Sequence, residues 1–471
     1  MKREGRRIGA ALTIALLSLS CLVLFSPPSS SSPSSGACVG GAGEPCIVAT
    51  CGKGYLVRID GENGKYLLHV EGTPYEMGYQ HGYLLAEGVY KMVKEYPKVL
   101  LRGYGIPEEA VPLLLSIGNL VCAANERFVP LEYILEMRGI ADGARARGYQ
   151  VSYEEVRLIN MAFDAILSIA YPIVTPLLPL QDMGVNLPIA CNAFVAFGEA
   201  TKPIGGKVLM GRDFMFTEEV FGDYALLIEQ FPKRGHPFIS VTAPSFVGVT
   251  SAMNLEGVSI GMDMIPGMDT RPIMSGMGCL LIARKVVQYA SDLPEAINII
   301  KNAVRGVPWA YPIGSPQGGA VVESSADFFA VRYTDYRYPK KFRGSCLPDQ
   351  IEDKDDLVVL TNHFIVPEMI LKSKSYAIED SLWRYETLTS LLLESYGKID
   401  EDKGRALINF LSPLSEGPGR DYYGNKETVN GTTTLYNNTD RELWALYRLF
   451  RDPWVHYKLT QGGAKQYFGL S

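Results

Sequence analysis

The hydrophobic pattern along the chain changes its period twice. From Gly54 to Gly72, "GYLVRIDGENGKYLLHVEG" alternates apolar and polar residues around a Gly/Asn-rich turn, which predicts a β-hairpin. From Thr73 to about Ala170 the spacing becomes helical. "GTPYEMGYQHGYLLAEGVYKMVKEYPKVLL" opens with Thr73 as a hydroxyl cap, Pro74 at the first helical position and Glu76 three residues after the cap. "PLEYILEMRGIADGARARG" and "SYEEVRLINMAFDAIL", the latter capped by Ser152 and Glu155, continue the helical stretch. "YPIVTPLLPLQDMGVNLPIA" is then broken by Pro and Gly and reads as a loop ending at Ala190.

From Cys191 onward the texture is that of strands. "NAFVAFG", "KVLMGRDFMF", "YALLIEQF", "PFISVTAP" and "VGVTSAMNLEGVSIGMDM" are short, β-rich and separated by Gly, Pro or Asn. Two helices, "GCLLIARKVVQYA" and "LPEAINIIKNAVRG", come next. Strands "GGAVVESS", "FFAVRY" and "DLVVLTNHF" follow, then the amphipathic helix "SLWRYETLTSLLLESYG", then strands "GTTTLYN" and "ELWALYRLF". This succession predicts an α+β protein with helices outside packed sheets.

The first 36 residues stand apart. "MKREGRR" is strongly basic, Ile8 to Phe25 carries no charge, and "SPPSSSSPSSGA" follows. Basic, apolar, then small and polar is the layout of an export signal, and the apolar run is also long enough for an uncleaved membrane anchor. Either way the globular part is expected outside the cytoplasm, secreted or anchored at the cell surface. The expected organisation is therefore 1–36 as signal or anchor plus linker, 37–190 as a mainly helical segment, and 191–471 as the catalytic segment.

Composition excludes more than it selects. A net charge of −6 without a basic face argues against nucleic acid as a partner. There is no dinucleotide or phosphate loop, no Gly-x-Ser-x-Gly elbow and no His-Glu-x-x-His, and only five histidines. No metal or organic cofactor is expected. Of eight cysteines, six remain once Cys21 in the apolar run and Cys191 are set aside, enough for up to three disulfides.

Cys191 has a route to reactivity that needs no histidine. If the Ala190–Cys191 bond were cut, the new α-amine would lie within reach of the thiol. An α-amine titrates at about 7.7–8.0 and a thiol at about 8.5, a matched pair for proton exchange. The thiol can itself make the cut by attacking the Ala190 carbonyl, so the nucleophile must directly follow the scissile bond.

Five separated stretches then carry a resemblance. "GTPYEMGYQHG", "CNAFVAFGEATKPIGGKVLMGRDFMF", "SAMNLEGVSIG", "LTNHF" and "DSLWRYETLTSLLLE" resemble, in order, motifs of the acyl-coenzyme A:6-aminopenicillanic acid acyltransferase-like family of N-terminal-nucleophile (self-cleaving cysteine) hydrolases. The resemblance runs from about residue 68 to at least 400. It implies a four-layer αββα sandwich preceded by the mainly helical segment, and self-cleavage between Ala190 and Cys191 with the two chains remaining associated. Cys191 would be nucleophile through sulfur and base through its amine. Arg212 matches the Arg beside the thiol. Asn254 and Asn362 match donors that hold the oxyanion or substrate carbonyl. Arg384 matches a helical, substrate-binding Arg. Relatives commonly read Arg-Asn-x-Asp where this chain reads Arg212-Asp213-Phe214-Met215. Asp213 either replaces the displaced carboxylate or is a structural Asp. His81 and His363 belong to matching motifs without an assigned role.

The function this implies is an exported, self-processing amidase or acyltransferase acting on a small acyl-amide or lipid-like substrate through an acyl-enzyme. A phospholipase B-like lipid hydrolase of the same fold, with "YPIVTPLLPL" lining an acyl pocket, and a non-catalytic surface binding protein are the alternatives.

Overall fold

The computed structural model describes residues 44–60, 64–103, 106–174, 190–271, 273, 275–333, 354–375, 379–413, 429–448 and 453–470. The stretch expected to be an export signal, the Ser/Pro tract and residues 175–189 of the expected loop lie outside them, while 171–174 complete a helix.

Three strands, β1 (Cys46–Cys51), β2 (Gly54–Asp60) and β3 (Lys65–Gly72), lead into helices α1 (Pro74–Leu84), α2 (Ala86–Lys94), α3 (Tyr96–Gly103), α4 (Val111–Asn125), α5 (Leu131–Ala146) and α6 (Tyr153–Val174). After Cys191 come β4 (Cys191–Ala196), β5 (Leu209–Thr217), β6 (Leu226–Pro232), β7 (Phe238–Thr242), β8 (Ser251–Asn254), β9 (Ser259–Gly261) and β10 (Asp263–Met264). Then follow α7 (Cys279–Tyr289), α8 (Leu293–Asn302), β11 (Trp309–Ser315), β12 (Gly318–Ser324), β13 (Phe329–Arg332) and β14 (Leu357–Leu360). The chain ends with α9 (Pro367–Ser373), α10 (Glu379–Glu394), α11 (Glu401–Asn409), β15 (Val429–Asn437), β16 (Glu442–Tyr447), β17 (Val455–Lys458) and α12 (Gly463–Phe468).

The strands form two sheets. One runs β1-β2-β3-β6-β7-β8-β9-β11-β12-β13, with β10 also on β11; the other runs β14-β4-β5-β15-β16-β17. β11 and β12 face β4 and β5 across the core, α7 and α8 cover the first sheet, and α10 and α11 cover the second. The expected αββα layering is thus present. Its two helix layers exist because each sheet buries apolar residues on both faces: Ala193 and Val195 point between the sheets, Phe194 and Ala196 point to the helices.

The helical segment is not a separate body. β3 pairs in parallel with β6, so residues on either side of Cys191 share one sheet. Glu136 of α5 accepts two hydrogen bonds from Arg284 of α7, at 3.2 and 3.0 Å, in a buried ion pair. Asp164 of α6 accepts from the Cys279 amide at 2.9 Å and from the Trp309 indole at 3.1 Å. The described residues from Glu44 onward belong to one compact unit.

The "GTPYEMGYQHG" signature proves to be a helix start and a packing surface. Thr73 and Glu76 close a reciprocal capping box. Gly78 and Gly82 of α1 lie against Gly139 and Gly143 of α5. A Cβ on Gly78 would stand 2.0 Å from the Glu136 carbonyl oxygen, and one on Gly143 would stand 2.2 Å from that of Tyr79. Only glycine permits this backbone-to-backbone approach. His81 accepts from the Ser245 amide at 3.1 Å, and burial pushes its pKa down to about 3, so it stays neutral.

Pattern reading missed the short strands β1 and β17 and, inside the core, β11, because "WAYPIGS" carries Pro312 in a strand flanked on both sides. The proline is tolerated because its neighbour is interrupted. β11 pairs with β9 through Ile260 and with β10 from Asp263, and Pro312 lies between these two contacts. The break also frees the Met262 carbonyl to accept from Arg212. Cys46 is disulfide-bonded, whereas Cys51, Cys122 and Cys279 are free, so the three disulfides allowed by counting do not form.

Candidate active site

Cys191 is the first residue of β4, which lies between β14 and β5. Its register partner on β5 is Phe214, and Ala193 faces Arg212. Residues directly opposite share a face, so the thiol and the Arg212 side chain both enter the space between the sheets. Both are fully buried.

Arg212 is held by the break in the opposite sheet. Its Nη2 donates to the Met262 carbonyl at 2.6 Å and lies 3.1 Å from Asp263 Oδ1. Its Nη1 donates to the carbonyls of Asp213 at 2.5 Å and Asn192 at 3.4 Å. The guanidinium stem crosses Gly261, where a Cβ would meet Nε at 2.4 Å. The motif glycine therefore supplies room for the arginine.

These neighbours set the thiol's charge. Burial pushes the Cys191 pKa up to about 11, while the charge and hydrogen bond of Arg212 pull against that rise. Asp263, itself pushed up to about 6 by burial and restrained by Arg212 and Arg384, opposes thiolate formation when ionised. Cysteine, arginine and aspartate thus form one electrostatic unit.

The main-chain side of Cys191 is gripped from β14 and α10. The Cys191 amide donates to Asn362 Oδ1 at 2.9 Å. Arg384 of α10 donates to the Cys191 carbonyl at 2.7 Å, to Asn192 Oδ1 at 2.8 Å and to Asn362 Oδ1 at 2.9 Å. Asp380 accepts from Arg384 at 3.0 and 2.8 Å, one helical turn away. His363 joins this clasp: its Nδ1 is 2.8 Å from Ser381 Oγ and 3.2 Å from Thr361 Oγ1, tying the turn after β14 to α10. The Ala190 carbonyl, acceptor of the Met215 amide at 3.0 Å, completes the centre.

The structure gathers Ala190, Cys191, Arg212, Asn362 and Arg384, and it gives the side chains of Asp213, Asn254, Asn362 and Arg384 definite partners. Asp213 points to the opposite face of β5 from the thiol. Its carboxylate accepts from Thr433 Oγ1 at 3.0 Å and Asn192 Nδ2 at 3.2 Å, and burial pushes its pKa up to about 7. Met215, in the place of the usual carboxylate, packs on Ala190. The Asn254 side chain has its hydrogen bonds elsewhere. It fixes the β8–β9 turn, accepting from the Glu256 and Val258 amides and donating to the Val287 and Ala290 carbonyls. Asn362 turns its oxygen, not its amide hydrogens, toward Cys191; the latter go to the Met264 carbonyl at 2.9 Å. Arg384 is fully buried and grips the Cys191 carbonyl. The residue that pattern reading missed is Asp263, two places after "SAMNLEGVSIG". An Asp inside the apolar run "IGMDMI" is the signal that could have found it.

A cysteine opening a strand of two helix-covered sheets, beside an arginine–carboxylate pair, defines the N-terminal-nucleophile hydrolase class. The chain belongs to the acyl-coenzyme A:6-aminopenicillanic acid acyl-transferase family, whose model matches residues 206–443. That stretch contains Arg212, Asp263, Asn362 and Arg384 and begins after Cys191. An uncharacterized protein of Archaeoglobus fulgidus is 56% identical over 431 residues, covering 90% of this chain and 70% of that one. Protein dcd1B of Dictyostelium discoideum is 24% identical over 309 residues, covering 61% and 56%. Among solved structures, a Caenorhabditis elegans N-acylethanolamine-hydrolyzing acid amidase ortholog aligns at 17% identity and TM-score 0.36, over 57% of this chain and all of that one. Penicillin V acylase from Agrobacterium tumefaciens aligns at 12% identity and TM-score 0.37, over 57% and 87%.

Proposed function

We propose that this chain is an exported, self-processing cysteine amidase that cuts itself before Cys191 and then hydrolyses a small acyl-amide or lipid-like amide. The observation that carries the reading is the placement of Cys191. Its thiol faces the Arg212–Asp263 pair, and its peptide nitrogen, the atom that would become the α-amine, meets Asn362.

The cut proceeds as an acyl shift. Cys191 Sγ attacks the Ala190 carbonyl carbon, and negative charge develops on the oxygen that the Met215 amide already holds. The C–N bond breaks, the nitrogen takes the proton, and Ala190 is left as a thioester on sulfur. Water hydrolyses that ester, releasing the Ala190 carboxylate and a Cys191 with free thiol and free amine. Asn362 Oδ1, already an acceptor from this nitrogen, then holds the amine in place. The Met215 amide becomes available when Ala190 leaves. A substrate carbonyl seated there uses the same donor, so self-cleavage and turnover share one oxyanion position.

In turnover the amine takes the thiol proton, Arg212 stabilises the thiolate, and attack on the substrate amide releases an amine and leaves an acyl-enzyme. Water then resolves it. Hydrolysis is preferred over transfer because nothing among the described residues of the site selects an acceptor above water. The cleaved chains stay together through the β3–β6 pairing and the buried Glu136–Arg284 pair. Export rests on the basic-then-apolar N-terminus; no described helix is long and apolar enough to cross a membrane.

Trapping tests the activity. Purified protein is incubated with acyl-amides and analysed for an acyl adduct on the peptide that begins at Cys191. Adduct and amine release in wild type, both lost in Cys191→Ala, are expected. Amine release that survives in Cys191→Ala would move the chemistry elsewhere.

A further inference from the structure

A second buried arginine–carboxylate pair stands on the same face of the first sheet as the pair beside the thiol. Asp263 of β10 is opposite Ala310 of β11, which in turn is opposite Glu323 of β12. Residues directly opposite share a face, so Glu323 points, like Asp263, into the space between the sheets. Arg332 of β13 brings its Nε to 3.1 Å from Glu323 Oε1, and both side chains are fully buried. Neither cleavage nor turnover at Cys191 uses this pair directly.

The pair reaches the other sheet and holds one short segment at both ends. Before the turn that follows β14, Arg332 Nη1 donates to the Val359 carbonyl at 2.9 Å. After the turn, Glu323 accepts from the Ile365 amide at 3.0 Å and from the Val366 amide at 3.2 Å. Between these points lies Asn362, whose Oδ1 accepts from the Cys191 amide at 2.9 Å. Burial raises the Glu323 pKa, and Arg332 and the two amides pull against the rise. As a source of stability such a pair is weak, because apolar residues of similar volume often serve as well. Charge-assisted hydrogen bonds add direction, and here they fix where the turn stands.

We propose, resting on the self-processing reading above, that Glu323 and Arg332 are positioning residues for the cut. They set the turn after β14 so that Asn362 Oδ1 meets the Cys191 nitrogen. The Arg212–Asp263 pair addresses the sulfur of Cys191, and the Glu323–Arg332 pair addresses its nitrogen through Asn362. In the acyl shift this nitrogen leaves the Ala190 carbonyl carbon and takes a proton. Holding it keeps the scissile peptide oriented for Sγ.

Two arms test this in the full-length protein. Hydrogen exchange is read in Cys191→Ala, which is expected to stay whole, with and without Glu323→Gln. The added change should speed exchange of the amide at position 191 about three- to tenfold relative to that of Ala193 in the same strand, the size of one weakened hydrogen bond. A purely structural role would speed both amides alike. Fragment formation is timed in protein that keeps its cysteine, and Glu323→Gln should slow it by a similar factor. Should that variant not fold, Glu323→Leu/Arg332→Met removes both charges and carries both arms. Equal acceleration along β4, or wild-type cleavage in the variant, would overturn the proposal and leave the pair as scaffold. A wild-type chain that is never cut would sink the self-processing reading instead; the exchange arm alone then decides whether the pair sets the Asn362 contact.

Discussion

Replacing Arg212 by methionine separates stability from chemistry. The change removes a buried cation 3.1 Å from Asp263 and leaves that buried carboxylate with only the field of Arg384. Breaking a buried pair from one side costs about 3–5 kcal/mol. The thiol loses the group that holds its pKa down, and an opposite charge at such range is worth about 1–3 pKa units, or about 10- to 1000-fold in thiolate. Arg212→Met should therefore be less stable in urea and should cleave at least about tenfold more slowly. The double variant Arg212→Met/Asp263→Leu removes both charges, and a buried pair replaced by apolar residues is often neutral in stability. It should recover the fold without recovering cleavage. Urea midpoints and the time course of fragment formation, measured on the same samples, read the two effects apart. Wild-type cleavage in the double variant would refute the chemical role of the pair and leave it as scaffold.

Gly261→Ala should mimic part of this effect, since its Cβ displaces Arg212 without removing charge; slowed cleavage with a smaller loss of stability is expected from the same two assays. Asp213 has a folded pKa of about 7 against an unfolded value of about 3.9. Its burial penalty is absent below the unfolded value and grows as pH rises toward 7, so wild type loses stability across that window. Asp213→Asn should flatten the slope between about pH 4 and 7 in urea titrations, and an unchanged slope would count against the buried-acid reading. Glu136→Ala should cost about 3–5 kcal/mol, the range for stranding one member of a buried pair. The fragments of cleaved Glu136→Ala should separate on gel filtration in mild urea at concentrations where wild-type fragments still co-elute.

Much of this was legible along the chain because local signals and tertiary structure agree. The Thr73–Glu76 box, the strand beginning at Cys191 and the helix carrying Arg384 follow from caps and periods. Asp213 stayed open between two roles because alternation specifies which residues share a face but not which face holds the thiol. That depends on the β4–β5 register, which pairs Cys191 with Phe214. Asn254 shows the limit of motif reading, because a turn asparagine and an oxyanion donor look alike until their partners are seen. Asp263 and β11 were hidden for one shared reason. The β9–β10 break that accommodates Pro312 also presents the Met262 carbonyl and Asp263 to Arg212, and a strand interruption compensated by a neighbouring strand leaves no periodic trace.

Intact mass combined with N-terminal sequencing of the purified protein tests self-processing at Cys191 most directly. A cut before Cys191 yields a second chain of 281 residues, 191 to 471, beginning Cys-Asn-Ala-Phe, while Cys191→Ala stays whole. A single uncut wild-type chain that also fails to react with a thiol-directed amide analogue would contradict it.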